Sequence, residues 1–301
     1  MTVSTRPLAP GTWVVGKWTH RRWRIRGVLG TGANGIVYAV ERDDGLPGAM
    51  KVCETAGQVA FEWSLLNLVR GPGSPFPAPQ QIDDSDRPGA RYFYVMERIS
   101  GRPLDKAWPA LAPAARKEVM LRIVEGLAAL HATGHAFCDV KPQNVLVQEA
   151  TGQVRFVDPG GVTPFGKAVR QFTPTTDGAF FGLCDRRASA LYDVFAVMLM
   201  AVSLEAQWPA TLYDLPPERR RELLGRMVAD KMDGAWRPVW NRVLRREIGD
   251  APSLRAAIAA VRVKDEPKTG HRDWTATFMW ASLASAVVST ACAWALYLGL
   301  L

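Results

Sequence analysis

Cysteine is scarce and scattered. The chain of 301 residues has four, Cys53, Cys138, Cys184 and Cys292, and no CxxC pair. That spacing speaks against a zinc ribbon or a disulfide framework, and isolated thiols suit a reducing cytosol. The N-terminus, MTVSTRPLAPGTWVV, lacks an apolar stretch of signal-peptide length, which argues against export by a cleaved leader. Internal repeats are absent. Acidic residues are in the minority, with 29 Asp and Glu against 37 Lys and Arg, a net charge of +8. A basic balance permits anionic partners such as nucleotides, nucleic acid or a membrane surface and selects none of them. With 48% apolar and 22% charged residues, the chain can bury a core and is not a disordered polymer.

One long uncharged run is present, from Trp274 to Leu301, WTATFMWASLASAVVSTACAWALYLGLL. At about 1.5 Å rise per residue it would make roughly 42 Å of helix, more than the ~30 Å hydrocarbon layer. Trp274, Trp280 and Tyr297 stand toward its ends, where interfacial anchors belong. Lys264, Lys268 and Arg272 precede it. The expectation is a C-terminal transmembrane helix over 274–301, a juxtamembrane linker over 264–273, and a single-pass protein whose body lies in the cytoplasm.

Upstream, the first third is strand-rich. Trp23–Arg26, Gly35–Val40 and Ala49–Val52 read as strands, with Asp43-Asp44-Gly45 turning between the last two. A helix is predicted over Gln58–Arg70, with Phe61, Leu65, Leu66 and Val69 on one side. A Pro/Gly-rich stretch, 71–79, then leads to a strand over Arg91–Met96. Beyond Gly101 helices predominate: 114–131, 191–204 and 253–263, with short strands at 144–147 and 154–157. Segregated strands and helices make the fold class α+β.

The chemistry-bearing residues come in a fixed order. Gly30-Thr31-Gly32-Ala33-Asn34-Gly35 is a GxGxxG. It is followed by Ile-Val-Tyr-Ala-Val, whose branched and aromatic residues favour a second strand over the helix of a dinucleotide fold. A glycine loop between two strands lets backbone N–H groups approach phosphate oxygens. Lys51 follows in Ala-Met-Lys-Val and Glu62 in Phe-Glu-Trp-Ser; far downstream stand Asp139-Val140-Lys141-Pro142-Gln143-Asn144 and Asp158-Pro159-Gly160. On these motifs, residues 16–263 resemble the eukaryotic-like Ser/Thr protein kinases, particularly the small membrane-anchored bacterial type.

The resemblance implies a bilobal kinase-like fold, with an N-terminal extension at 1–15, an N-lobe at 16–99 and a C-lobe at 100–263. It implies ATP as phosphoryl donor with Mg²⁺ or Mn²⁺, and a protein Ser/Thr hydroxyl as acceptor. Lys51 would hold the α- and β-phosphates and Glu62 would orient it. Asp139 would take the hydroxyl proton, Lys141 would steady the γ-phosphate, and Asn144 and Asp158 would bind metal. Val37 and Ala49 would cover one face of the adenine and Leu146 the other, with Met96 behind it. Glu97 and Ile99 would offer main-chain hydrogen bonds.

The pattern departs in four places. Phe137-Cys138 replaces the His-Arg before the catalytic Asp, removing the usual partner of a loop phosphate. Pro159 replaces the Phe of Asp-Phe-Gly. No Glu occurs between Glu149 and Glu205, so the Ala-Pro-Glu element is missing and its Arg partner with it. The interval from Lys51 to Glu62 is short, which puts their pairing in doubt. These departures keep a second reading open, a pseudokinase acting as a membrane-bound interaction or nucleotide-binding module; a third is a small-molecule phosphotransferase of related fold. Asp193 matches the helix Asp that supports the catalytic loop, and Thr173, Thr175 and Thr176 are candidate autophosphorylation sites. Three basic clusters, Arg21/Arg22/Arg24/Arg26, Arg219–Arg221 and Arg242/Arg245/Arg246, are solvated faces or a docking surface for nucleic acid or anionic lipid.

Overall fold

The computed structural model describes residues 7–32, 34–148 and 151–263. Ala33, the linker at 264–273 and the uncharged run at 274–301 lie outside the described residues. Among the described residues no helix is long and apolar enough to cross a membrane.

The first lobe is built on six antiparallel strands in the order β1-β2-β3-β4-β6-β5. They are β1 (Trp13–Val15), β2 (Arg22–Gly32), β3 (Gly35–Arg42), β4 (Pro47–Cys53), β5 (Pro79–Asp84) and β6 (Tyr92–Met96). Alternation decides which side chains go inward: in β2, Trp23 and Ile25 are fully buried while Arg22, Arg24 and Arg26 face out. The lobe takes in more of the N-terminus than the expected 1–15 extension allowed, because β1 pairs with β2 and Leu8 packs on the core around Trp23. The sheet is also rolled. The loop after β1 reaches the opposite edge, where Lys17 N–H donates to the Asp84 carbonyl at 2.8 Å.

Helix α1 (Ala56–Val69) starts on the Thr55 side chain, which accepts from Gln58 N–H. Its buried stripe is Val59, Glu62, Leu65, Leu66 and Val69. Phe61, expected on the apolar side, is only half-buried, with the Arg170 guanidinium over its ring at 4.8 Å. Val59 and Leu66 pack under the sheet, while Leu65 and Val69 join the core of the second lobe.

The second lobe opens with β7 (Arg102–Pro103), α2 (Leu104–Ala107) and α3 (Pro113–His131). The short strands β8 (His135–Ala136), β9 (Val145–Val147), β10 (Val154–Phe156) and β11 (Thr163–Pro164) follow, β9 lying between β7 and β10. Then come α4 (Ala190–Glu205), α5 (Pro217–Lys231), α6 (Arg237–Leu244) and α7 (Ala251–Ala259). Every residue of α4 from Tyr192 to Val202 is buried, so this helix is the lobe's axis.

Candidate active site

Lys51 lies on β4 with its side chain turned inward, opposite Tyr94 of β6 in the strand register. Its Nζ is 2.7 Å from Glu62 Oε2 and 3.1 Å from Asp158 Oδ1. The short interval between Lys51 and Glu62 therefore does not disturb the pair. β4 ends at Cys53 and α1 begins at Ala56, so Glu62 is brought round on the helix's buried stripe. Burial works against the ammonium, yet the charges of Asp158 and Glu62 outweigh it and hold the Lys51 pKa above the usual lysine value. Tyr94 completes the group by donating its phenol O–H to Glu62 Oε2 at 2.8 Å. The sequence reading missed this residue; its place directly across from Lys51 in the alternating strand was the available signal.

Across the cleft, the loop after β8 carries Asp139. Asp193, fully buried on α4, accepts the backbone N–H groups of Phe137 at 2.7 Å and Cys138 at 2.8 Å, and lies 2.9 Å from His131 Nε2. Cys138 adopts φ +63°, a left-handed conformation that costs a non-glycine residue about 1–3 kcal/mol and persists only where its surroundings enforce it. Phe137 fills apolar space between Phe76 and Phe156, with ring centroids 5.2 and 5.1 Å away. The Asp139 carboxylate accepts from Lys141 Nζ at 2.6 Å, Asn144 Nδ2 at 3.0 Å and the Thr173 hydroxyl at 3.0 Å.

Asp158 follows β10 with φ +57°, and Pro159 begins the helical turn 159–161. With Pro in the Phe position, Asp158 still points into the cleft toward Lys51. A cavity of about 670 Å³ is lined by Gly30, Thr31, Gly32, Asn34, Gly35, Val37, Ala49, Lys51, Met96, Glu97, Ile99, Asp139, Lys141, Asn144, Leu146 and Asp158. Every expected cofactor residue among the described ones is there; Ala33 lies outside them. Glu62 acts behind the wall, through Lys51.

The glycines test whether a nucleotide suits this cavity. A Cβ at Gly35 would come 2.0 Å from the Val52 carbonyl oxygen and would need φ +125°, so the hairpin itself demands that glycine. A Cβ at Gly30 or Gly32 would meet no protein atom within 4 Å. Nothing in the fold requires glycine at those two positions, which leaves room for backbone to approach a phosphate. Among the described residues no group of three or more His, Cys, Asp or Glu could hold a metal. One carboxylate and one amide, Asp158 and Asn144, suit a cation that takes its remaining oxygens from phosphates and water. The residues fit a nucleotide triphosphate with a divalent cation.

A family profile described as protein kinase domain matches residues 23–179, just over half of the chain. The chain belongs to that family. It is 32% identical over 222 residues to Serine/threonine-protein kinase YabT of Bacillus subtilis (strain 168), covering 72% of this chain and 65% of the relative. It is 32% identical over 152 residues to Serine/threonine-protein kinase pkn2 of Myxococcus xanthus, covering 46% of this chain and 18% of the relative. The chain thus spans less than two thirds of either relative. In fold it is similar to vaccinia related kinase 3 (TM-score 0.62, 14% identity, covering 86% of this chain and 92% of that one). It is also similar to the Cydia pomonella granulovirus kinase PK-1 (TM-score 0.60, 16% identity, covering 79% and 93%).

Within the kinase fold, the segment joining the lobes differs from expectation at Glu97. Its N–H donates to the Ala78 carbonyl at 2.8 Å, so only its carbonyl is left to offer to a base. Its carboxylate holds Arg155 of β10 at 3.1 and 2.8 Å and accepts Ala78 N–H at 3.1 Å. Arg155 donates in addition to the carbonyls of Pro75 and Phe76, a clamp behind the cleft that the sequence did not reveal.

The activation region contains a buried charge pair that the sequence reading did not foresee. Asp177 is buried, pairs with Arg186 at 2.7 Å and accepts the Tyr192 hydroxyl at 2.8 Å, so the segment is anchored without Ala-Pro-Glu. Of the candidate autophosphorylation sites, Thr176 is buried and Thr173 is engaged with Asp139. Two basic clusters make contacts within the C-lobe. Arg220 donates to the Leu212, Phe180 and Tyr213 carbonyls and lies 3.7 Å from the Phe180 ring, while Arg219 pairs with Glu222. Arg242 and Arg245 both pair with Glu247, and Arg246 donates to the Leu183 carbonyl.

Proposed function

We propose that the chain is a Ser/Thr protein kinase using ATP with Mg²⁺ or Mn²⁺, tethered to a membrane by residues 274–301 with its kinase domain in the cytoplasm. The observation that carries the catalytic reading is Lys51 held between Glu62 and Asp158 on the wall of a cleft that Asp139 enters from the other lobe. When bound, ATP with its cation supplies the transferable phosphoryl group and the charge that neutralises it. Lys51, kept cationic by two carboxylates, orients phosphate oxygens. Asp139, aligned by Asn144, accepts a proton from an incoming hydroxyl, and Lys141 places positive charge beside it. Thr173, the hydroxyl already on Asp139, marks the place where an acceptor hydroxyl would come.

The membrane tether is supported by the uncharged run and the cations before it. The replacements at Cys138 and Pro159 favour the competing interaction-module reading, and one experiment separates the two. Radiolabelled transfer from ATP to the chain itself or to a generic protein substrate should be seen with Mg²⁺ or Mn²⁺. Asp139→Asn should lower it by about 10²–10⁴-fold, and Lys51→Ala should abolish it. No transfer with either metal overturns the enzyme reading; transfer to sugars or aminoglycosides and not to protein favours the small-molecule alternative.

A further inference from the structure

The third basic cluster lies among exposed aromatic and apolar side chains. On the outer face of the β1–β2 hairpin, Trp13 stands opposite Arg24 and Val15 opposite Arg22, with Arg26 next along the strand. The tip of the hairpin, Lys17 to Arg21, is exposed throughout. Trp18 at that tip is 72% exposed, Trp13 36% and Val15 44%. Among the described residues, Glu41 pairs with Arg26, and exposed Asp86 lies 3.5 Å from Lys17. Arg22 lies against the Trp13 ring at 4.8 Å, and Arg21 reaches the Gln80 carbonyl at 3.5 Å.

The exposure of Trp18 is fixed by the fold. Buried Asp83 accepts the Trp18 N–H at 3.0 Å, the Thr19 N–H at 2.9 Å and the Thr19 hydroxyl at 2.5 Å. Five residues further along, Trp23 is fully buried and donates its indole N–H to Gln81 at 2.9 Å. Of the hairpin's three tryptophans, Trp23 is taken into the core and satisfied, while Trp13 on the outer face and Trp18 at the tip face water.

We infer that this face is a docking surface for an anionic lipid bilayer. Cations alone would serve the phosphates of a nucleic acid. Exposed indoles and a valine among the cations suit the headgroup boundary, where tryptophan places its ring and arginine meets anionic lipid. The inference rests on the membrane reading for its choice of occupant: a tether at 274–301 would keep a bilayer within reach.

The full chain would be added to vesicles of phosphatidylcholine alone or with about 30% phosphatidylserine, then labelled with hydroxyl radicals and read by mass spectrometry. The readout is the labelling of Trp18 relative to Tyr213, which is 58% exposed on the other lobe. The ratio should fall about fivefold on the anionic vesicles, recover in 0.5 M salt, and not fall in an Arg22→Glu/Arg24→Glu variant. An equal ratio on both compositions overturns the inference. So does protection on neutral vesicles that appears only when duplex DNA is added, which would make the partner a nucleic acid. Flotation of the same samples reports the tether separately. A chain that floats only with anionic vesicles and protects Trp18 there removes the tether reading and upholds this one.

Discussion

The two lobes are held together by different means. The second has one continuous apolar core, from Leu104 through α4 to Ile258, with α1 contributing Leu65 and Val69 to it. The first divides its apolar residues between the two faces of a sheet, Trp23, Tyr38 and Phe93 on one side and Val59, Leu66 and Tyr94 on the other. Polar groups add to that packing: the carboxylate of Asp83 draws the hairpin tip to β5, and the Lys51–Glu62–Tyr94 group helps Val59 and Leu66 join α1 to the sheet. Apolar cores are close-packed and resist deformation, whereas ion pairs and hydrogen bonds can be exchanged for a ligand's. The half that presents Asp139 is therefore the rigid one. The half that presents the glycine loop and Lys51 is set by charges that a triphosphate can compete for.

Both lobes nevertheless use a buried carboxylate to catch backbone N–H groups, and this sharpens the contrast. Asp193→Ala should have the largest effect on stability. It strips two amides and His131 of their acceptor inside the rigid core, at a cost of about 3–5 kcal/mol. A thermal scan should show Tm lowered by about 2–4 °C per kcal/mol, with phosphoryl transfer lost because the Asp139 loop is no longer held. A variant with unchanged Tm would show that the loop is fixed by Phe137 packing instead.

Asp83→Asn should cost less, about 2–3 kcal/mol, because its amide would set a donor against the Thr19 and Gln81 donors. Burial alone would raise the Asp83 pKa. Hydrogen bonds from Thr19, Trp18 and Asp84 overcome that and hold it below the ordinary 3.8. A carboxyl lowered on folding contributes stability that is complete above its unfolded pKa and is lost as pH falls through the folded one. The wild-type chain should thus lose N-lobe stability below about pH 4, and the variant should lack that part of the acid slope. Equal acid slopes would place the lock elsewhere.

The same division explains what could be read in the sequence. Strand β2 alternates apolar and charged residues at its start, and β3, β4 and β6 are short runs rich in branched, aromatic and other apolar residues; all four were legible, as were α3 and α4. β5 was not, because two of its inward residues are Gln81 and Asp83, a polar pattern that belongs to a turn until the hairpin tip it binds is in place. α5 was hidden likewise by its run of charge, Glu218 to Glu222. The site residues were legible because phosphoryl-transfer chemistry restricts residue type at fixed places. The supporting ones, Tyr94, Arg155 and Asp177, were not, since a tyrosine, an arginine or an aspartate gains its role only from what the chain brings beside it.

The smallest effect belongs at the seam between the lobes. Arg155 and Glu97 meet in a bidentate pair that is partly exposed, so screening limits its worth to about 1 kcal/mol. Burial would raise the Glu97 pKa, but the Arg155 and Ala78 hydrogen bonds outweigh it and keep it below the ordinary carboxylate value; its contribution too is complete above about pH 4.5 and falls away in acid. Glu97→Gln retains an acceptor for Ala78 and loses the charge. It should lower Tm by about 2–4 °C and change KM for ATP more than kcat, because Glu97 lines the cleft and its side chain ties that stretch of backbone to Ala78 and Arg155. Arg155→Met should have the same sign and a larger size, since it also releases the Pro75 and Phe76 carbonyls. Were both substitutions to cost as much as Asp193→Ala, the seam would be part of the rigid core, and the contrast between a fixed lobe and an adjustable one would fail.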